Sequence, residues 1–358
     1  MKQVFENTSL VVVTYKRCEL LQVLFDSIAA NSVSPGRVYV VDNGKDSEVG
    51  EMCSALEAAL RAGQLAETQV EQAVEQQVAQ ATERQGEQRP EQQVSASPPR
   101  VIWIPMETNT GGAGGFSRGV LQAYEDGAEW IWVMDDDVRL LPHALETLRP
   151  WMDTAVESNR RVIQCRRLNF DNSLFYWQYH FLYHLGIPNP ISPSRFGAGE
   201  TWRPMNTACF EGGLFHRSVV GAIGAPDKRF FIYWDDTIYG YLASKHTQPI
   251  LISDVLMQRM RHIDHFKVGY IRKLNDTSDM VRYYIMRNRG YMARYTQLYG
   301  EYNAFVWGLG TCLTFAKEFI RLFIARNFSS GLKQLRQGMK DARAAFKDPT
   351  WHPMPPLS

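Results

Sequence analysis

Four apolar runs rich in β-branched and aromatic residues each end in polar side chains: SLVVVTYKR at 9–17, RVYVVDNG at 37–44, RVIWIP at 100–105 and WIWVMDDD at 130–137. Short runs of this composition read as strands. ELLQVLFDSIAA at 19–30 places Leu20, Leu21, Leu24, Phe25 and Ile28 at helical spacing, and GGFSRGVLQAYEDG at 114–127 reads as a second helix. Strands alternating with helices predict an α/β fold, a Rossmann-like, mostly parallel sheet flanked by helices. Ligands bind such sheets beyond the carboxyl ends of the strands. Thr14, Tyr15, Arg17, Asp42, Asn43, Asn109, Asp135 and Asp137 all follow strand ends and are expected to converge on one crevice.

Residues 61–99, rich in Gln, Glu and Ala, read as a low-complexity insert, part helix and part loose, with no residue types suited to chemistry. Beyond Asp137 the pattern is less regular. A hairpin or loop leading into a helix is expected at 195–220, an aromatic strand running into a helix at 229–246, and a strand with a His-bearing end at 250–266. From about 267 onward the chain reads as helical, so the expected division is 1–266 for binding and catalysis and 267–358 for a C-terminal helical region. Within that region, 304–326 is nearly apolar, but Lys317, Glu318 and Arg321 interrupt it. It is too broken to span a bilayer and reads as an amphipathic helix, packed on its own domain or lying on a membrane surface.

A net charge of +1 excludes the basic footprint of a nucleic-acid binder. Cys18, Cys53, Cys165, Cys209 and Cys312 are odd in number and scattered, without a CxxC pair. They suggest a reducing, cytoplasmic compartment and no zinc site. The N-terminus runs directly into a strand without an apolar signal region.

Three adjacent aspartates at a strand end repel one another unless something positive sits among them. Asp135, Asp136 and Asp137 therefore suggest a hard divalent cation, Mg²⁺ or Mn²⁺, holding a diphosphate; the alternative is a solvated turn that caps a helix. NTGGAGGFSRG at 109–119 sets Gly111, Gly112, Gly114 and Gly115 before a helix, where an anion is favoured. It is neither a dinucleotide fingerprint nor a Walker A loop. YWDDT, with Asp235 and Asp236, offers a general base or a helix cap. RHIDH offers His262 or His265 as a metal ligand.

Taken in order, VVVTYKR, VYVVDNG, NTGGAGGFSRG, WVMDDD, FEGGLFHRS, YWDD and RH resemble the family 2 glycosyltransferases of the GT-A fold, most closely the bacterial galactofuranosyltransferases and related rhamnosyltransferases. The resemblance covers roughly residues 9–300, with the insert as a departure. It implies that Thr14, Tyr15 and Arg17 hold the nucleotide, Arg17 near the diphosphate. Asp42 would read the uracil or thymine edge, and Asn109, Gly111 and Gly112 would lie beside the donor. Asp135 and Asp137 would bind the metal with His262, while Asp136 faces the sugar. Asp236 would be the catalytic base, Asp235 its neighbour, and Trp234 a stacking surface for the acceptor or a core residue.

The implied reaction is inverting, metal-dependent transfer of a sugar from a nucleotide-diphosphate donor to a hydroxyl of a glycan or lipid-linked glycan, in the synthesis of a cell-surface polysaccharide such as O-antigen or capsule. UDP-galactofuranose is the first candidate donor and dTDP-rhamnose the alternative. The implied setting is cytoplasmic, at the inner face of the membrane if 304–326 docks there. A sugar nucleotidyltransferase would need glycines after the first strand, which TYKRCELL lacks. A non-catalytic glycan-binding module would be expected to lose acids that are all in place here.

Overall fold

The computed structural model describes residues 3–82, 98–175, 180–188, 196–262, 265–268, 272–275 and 277–357. Its elements run β1 (Gln3–Thr14), α1 (Cys18–Ala30), β2 (Val33–Asp42), α2 (Ser47–Thr82), β3 (Arg100–Pro105), α3 (Gly111–Glu125), β4 (Trp130–Asp135), β5 (Val138–Leu140), α4 (Ala144–Ala155) and β6 (Val162–Leu168). Next come the short strands β7 (Phe181–Leu182), β8 (Ile187–Pro188), β9 (Trp202–Pro204) and β10 (Gly213–His216), then α5 (Arg217–Ile223), a 3₁₀ turn (Lys228–Phe230) and α6 (Asp235–Ala243). The chain closes with β11 (Ile250–Arg259), β12 (His265–Val268), β13 (Arg272–Asn275), α7 (Asp279–Leu298), α8 (Ala304–Ala325) and α9 (Phe328–Lys347).

The main sheet has the order β3-β2-β1-β4-β10-β6-β11-β5, with β9 paired to β11. The strands β1 to β4 are mutually parallel, and β10 enters antiparallel between β4 and β6. This is the α/β, mostly parallel architecture that the strand–helix alternation predicts. Register then does the placing. Thr14 stands opposite Asp42, and Val13 opposite Asp135, so these strand ends lie at one edge of the sheet.

Successive side chains of a strand point to opposite faces, and the core divides accordingly. Leu10, Val12, Val38, Val40, Trp130 and Trp132 pack with α1, α2 and α4 on one face. Val11, Val13, Tyr39, Val41, Ile131 and Val133 pack on the other, against α3, α5 and α6. The second cluster continues through Ile285, Met286, Trp307, Leu322 and Leu335, so the C-terminal helices share the core of the sheet across the 266/267 division.

Two expectations change. The segment 229–234 is not a strand: a 3₁₀ turn leads into a loop and then α6. Nor is the chain helical directly after 267, since β13 precedes α7. Of the expected insert, residues 61–82 continue helix α2, and 83–97 lie outside the described residues.

Candidate active site

Arg17 forms ion pairs with two of the aspartates. Asp136 and Asp137 form the turn between β4 and β5, and helix α4 begins only at Ala144, so the acids cap no helix. Arg17 Nη1 lies 2.8 Å from Asp136 and 3.4 Å from Asp137. Thr14 Oγ1 donates to Asp136 at 2.7 Å, and the Tyr15 backbone adds a further bond. Thr14, Tyr15 and Arg17 thus converge on the middle acid of the three. Burial still pushes Asp136 up to about 6 against the pull of Arg17 and Thr14. Burial raises Asp135 well above the ordinary carboxylate range, and Glu211, Asp137 and Asp136 add to it. Asp137 is raised by burial and by Glu211, with Arg259 and Arg17 opposing.

Asp135 and Asp137 fit a hard divalent cation by oxygen donor type and by charge. Both carry a penalty for ionising that a cation would remove. The backbone of Met260 bonds to the Asp137 carbonyl at 2.7 Å, so the end of β11 runs beside this turn. His262 follows two residues later, exposed, its ring packed edge-on against Phe170 at 5.8 Å. Asp135, Asp137 and His262 do not bring their ligand atoms within 4.8 Å of one another; among the described residues only Cys18, Asp46 and Glu48 do so. The side chain of His265 lies outside what is described.

The glycine-rich stretch is built for close packing as much as for a ligand. Gly111 has φ +71°, and a Cβ there would lie 2.0 Å from the Phe231 carbonyl oxygen, which accepts from Ala113 N at 3.0 Å. A Cβ on Gly115 would strike Val13 of β1, whereas Gly112 opens onto free space. Asn109, exposed, accepts from Gly111 N at 2.9 Å. Asn43 ties the stretch to β2, accepting from Thr110 and donating to the Gly111 carbonyl at 3.1 Å. Asp42 is fully buried: it accepts from Gly44 N and Asp46 N, each at 2.7 Å, and so holds the turn after β2.

The paired acids Asp235 and Asp236 open helix α6. They divide between two environments. Asp235 lines a small cavity with Asp227, Phe230, Tyr239 and Tyr295, on the side of α7. Burial, reinforced by Asp236, lifts it to about 8. Asp236 accepts from Thr237 N at 2.6 Å and is bonded by the Cys209 thiol. Burial raises it too, these bonds oppose the rise, and Glu211 adds to it. The residues just before them adopt unusual backbone. Phe231, Tyr233 and Trp234 have φ of 63°, 70° and 72°. Bulky side chains rarely enter this region, at a cost of about 1–3 kcal/mol each. Trp234 is 6 % exposed and donates its indole N–H to the Ile285 carbonyl at 3.1 Å.

Several residues of this region escaped the sequence reading. Glu211 is the common electrostatic neighbour of Asp135, Asp137 and Asp236. Burial alone would raise it, but Arg167, 3.1 Å away, and Arg259 outweigh that and hold it below the usual range. Its position inside FEGG, immediately before two glycines, was the available signal. Asn288 of α7 donates to three carbonyls of the 230–233 loop. No motif marks it.

The family model described as "Glycosyl transferase family 2" matches residues 84–224. The chain is 24 % identical over 290 residues to galactofuranosyltransferase GlfT1 of Mycolicibacterium smegmatis, covering 79 % of this chain and 81 % of that protein. It is 27 % identical over 237 residues to galactofuranosyltransferase GlfT1 of Mycobacterium tuberculosis, covering 64 % of this chain and 62 % of that protein. Among solved structures, Staphylococcus aureus TarS 1–349 superposes with a TM-score of 0.47 at 13 % identity, over 95 % of this chain and 81 % of that one.

Proposed function

We propose that this chain, a glycosyltransferase carrying a family 2 domain, transfers galactofuranose from UDP-galactofuranose, with inversion, to a hydroxyl of a glycan or lipid-linked glycan. The observation that carries the reading is the shared electrostatic neighbourhood of the acid turn and Asp236, with Glu211 acting on both. The choice of sugar rests on the galactofuranosyltransferases to which the chain is similar.

In this reading Asp236, ionised, takes the proton of the acceptor hydroxyl as it attacks the anomeric carbon from the face opposite the diphosphate. Its bonds from Thr237 and Cys209 orient the carboxylate and leave it able to accept. The half-exposed Arg17 turns from Asp136 toward the donor phosphates, a fork that suits them geometrically. Gly112 and Asn109 lie beside the donor, and Asp136 faces the sugar. Asp135 and Asp137, with His262 as the third ligand implied by the resemblance, would hold Mn²⁺ or Mg²⁺, which supplies Lewis-acid neutralisation of the departing diphosphate.

The same reading places the enzyme at the inner face of a membrane. No helix among the described residues is long and apolar enough to cross one. Helix α8 instead carries a charged residue inward and aromatic ones outward: Glu318 is fully buried against Arg321 and Thr277, while Phe305 is 84 % and Phe323 68 % exposed. Leu309, Leu313 and Ile320 extend that outward stripe, and α9 exposes Lys333, Arg336, Lys340, Arg343 and Lys347 at helical spacing. An apolar stripe joined to a basic one suits an anionic lipid surface. Flotation with anionic liposomes at low salt, weakened by Phe305→Ser with Phe323→Ser, is the expected result; no flotation removes the membrane from the reading.

The donor is tested by thermal shift with UDP-galactofuranose, UDP-galactopyranose and dTDP-rhamnose, followed by transfer assays with whichever stabilises the fold. Stabilisation and transfer with dTDP-rhamnose alone would replace the proposed donor. Pyrophosphate release in place of transfer would replace the proposed reaction.

A further inference from the structure

We infer that Asn288 is a positioning residue whose side-chain amide sets the loop before Asp236 and, through it, the direction in which that carboxylate faces. The inference rests on the reading of Asp236 as proton acceptor. Asn288 sits mid-helix in α7 and is fully buried. Its Nδ2 donates to the carbonyls of Phe230 at 3.0 Å, Ile232 at 2.8 Å and Tyr233 at 2.8 Å. A side-chain amide has two N–H groups, so three carbonyls share them. The amide oxygen accepts from Arg287 Nε at 2.8 Å and Nη2 at 2.6 Å, and Arg287 itself reaches the Phe230 carbonyl at 2.9 Å.

One stretch of α7 thus reads the loop at several points. Tyr284 stacks on Phe231 at 4.9 Å, the Ile285 carbonyl accepts from the Trp234 indole N–H, and Asn288 gathers the carbonyls between. The carbonyls converge because Phe231, Tyr233 and Trp234 hold left-handed backbone. An ordinary extended or helical path would turn some of them away. Asparagine competes with helix formation through its own side chain, so its place inside α7 is accounted for by this clamp. Neither aspartate, which cannot donate when ionised, nor leucine, which has no donor, would gather three carbonyl oxygens. The loop passes directly into Asp235 and Asp236 at the start of α6, so its path sets the direction from which α6 begins.

The test uses the full chain with Asn288→Ala and Asn288→Gln, the donor that supports transfer, UDP titration and amide hydrogen exchange. In Asn288→Ala, amides of 231–238 are expected to exchange at least about tenfold faster while those of β1 and β4 keep their protection. Turnover is expected to fall about 30- to 100-fold, the scale of a misplaced reacting group, with donor KM and UDP affinity within about twofold. The ionisation seen in the kcat–pH profile shifts as the Asp236 carboxylate leaves Thr237 and Cys209. Should Asn288→Ala fail to fold, Asn288→Gln keeps both N–H groups one methylene away and gives smaller changes in the same readouts. Unchanged exchange at 231–238, or turnover within about threefold of the parent in folded protein, overturns the inference. Asp236→Asn separates the two ideas. If that variant keeps its turnover the base assignment falls, while the exchange data still decide whether Asn288 holds the loop.

Discussion

The chain twice places adjacent acids after an apolar segment, WVMDDD and FIYWDD, and the fold treats the two runs in opposite ways. At the first, a regular parallel strand delivers the acids to a turn, and residues of the neighbouring strand end, Thr14 and Arg17, answer them. At the second, no strand exists. A loop of left-handed aromatic residues delivers Asp235 and Asp236 to a helix start, and a distant helix holds that loop in place. The first run is answered in part by charge, and the second is oriented by strain and clamping. Charge is suited to holding a group that an incoming donor displaces, such as Arg17. A clamp is suited to a group that must face one direction throughout the reaction.

The largest expected effect bears on whether the second run holds the reactive acid. Asp236→Asn keeps size and most hydrogen bonding but cannot take a proton, so turnover should fall about 10²- to 10⁴-fold with UDP affinity near that of the parent. Asp235→Asn should cost far less turnover. Steady-state kinetics on the two variants would reverse the comparison if Asp235→Asn were the inactive one. If both stayed active, the pair is only a helix start.

A next, smaller effect tests the first run. Transfer should be lost in excess chelator and return with Mn²⁺ or Mg²⁺. Asp137→Ala should lower turnover by about two orders of magnitude, in keeping with a Lewis acid worth several kcal/mol, and make UDP binding insensitive to metal. Calorimetric titration of UDP with and without the ion decides it. Full activity in chelator would leave the arginines around these acids, Arg17 and Arg259, as their cationic partners.

The smallest effect concerns stability. Burial and Asp236 raise Asp235 to about 8, above its unfolded value, so folding favours the protonated acid. That contribution is fully present below the unfolded pKa and is lost as pH rises through the folded one. The melting temperature should therefore fall between about pH 4 and pH 8 and level off above that, and Asp235→Asn should flatten the fall. Equal slopes in parent and variant would mean that Asp235 is ionised throughout and that the two runs differ less than their surroundings suggest.

Much of the first run was legible in the sequence. Periodicity and β-branching mark β1, β2, β3 and β4, and parallel register carries Thr14, Asp42 and Asp135 to one edge. The glycine run also announced α3, although its start at Gly111 depends on the Phe231 carbonyl, a partner 120 residues away along the chain. The aromatic run before Asp235 misled, because FFIYW has strand composition and nothing local says that its backbone turns left-handed.

What the sequence determined by itself was the strand–helix alternation and the strand ends that bring Thr14, Asp42 and Asp135 to one edge of the sheet. Those follow from side-chain period and local backbone preference, which act over a few residues. Only the tertiary structure decided which neighbours each acid meets, that Glu211 sits between Arg167 and Arg259, and that Asn288 holds the loop. It also decided that α8 turns Glu318 inward and Phe305, Phe319 and Phe323 outward. Each of these depends on groups far apart in the chain meeting at one place, where burial and Coulomb terms act over distance in space and not along the sequence.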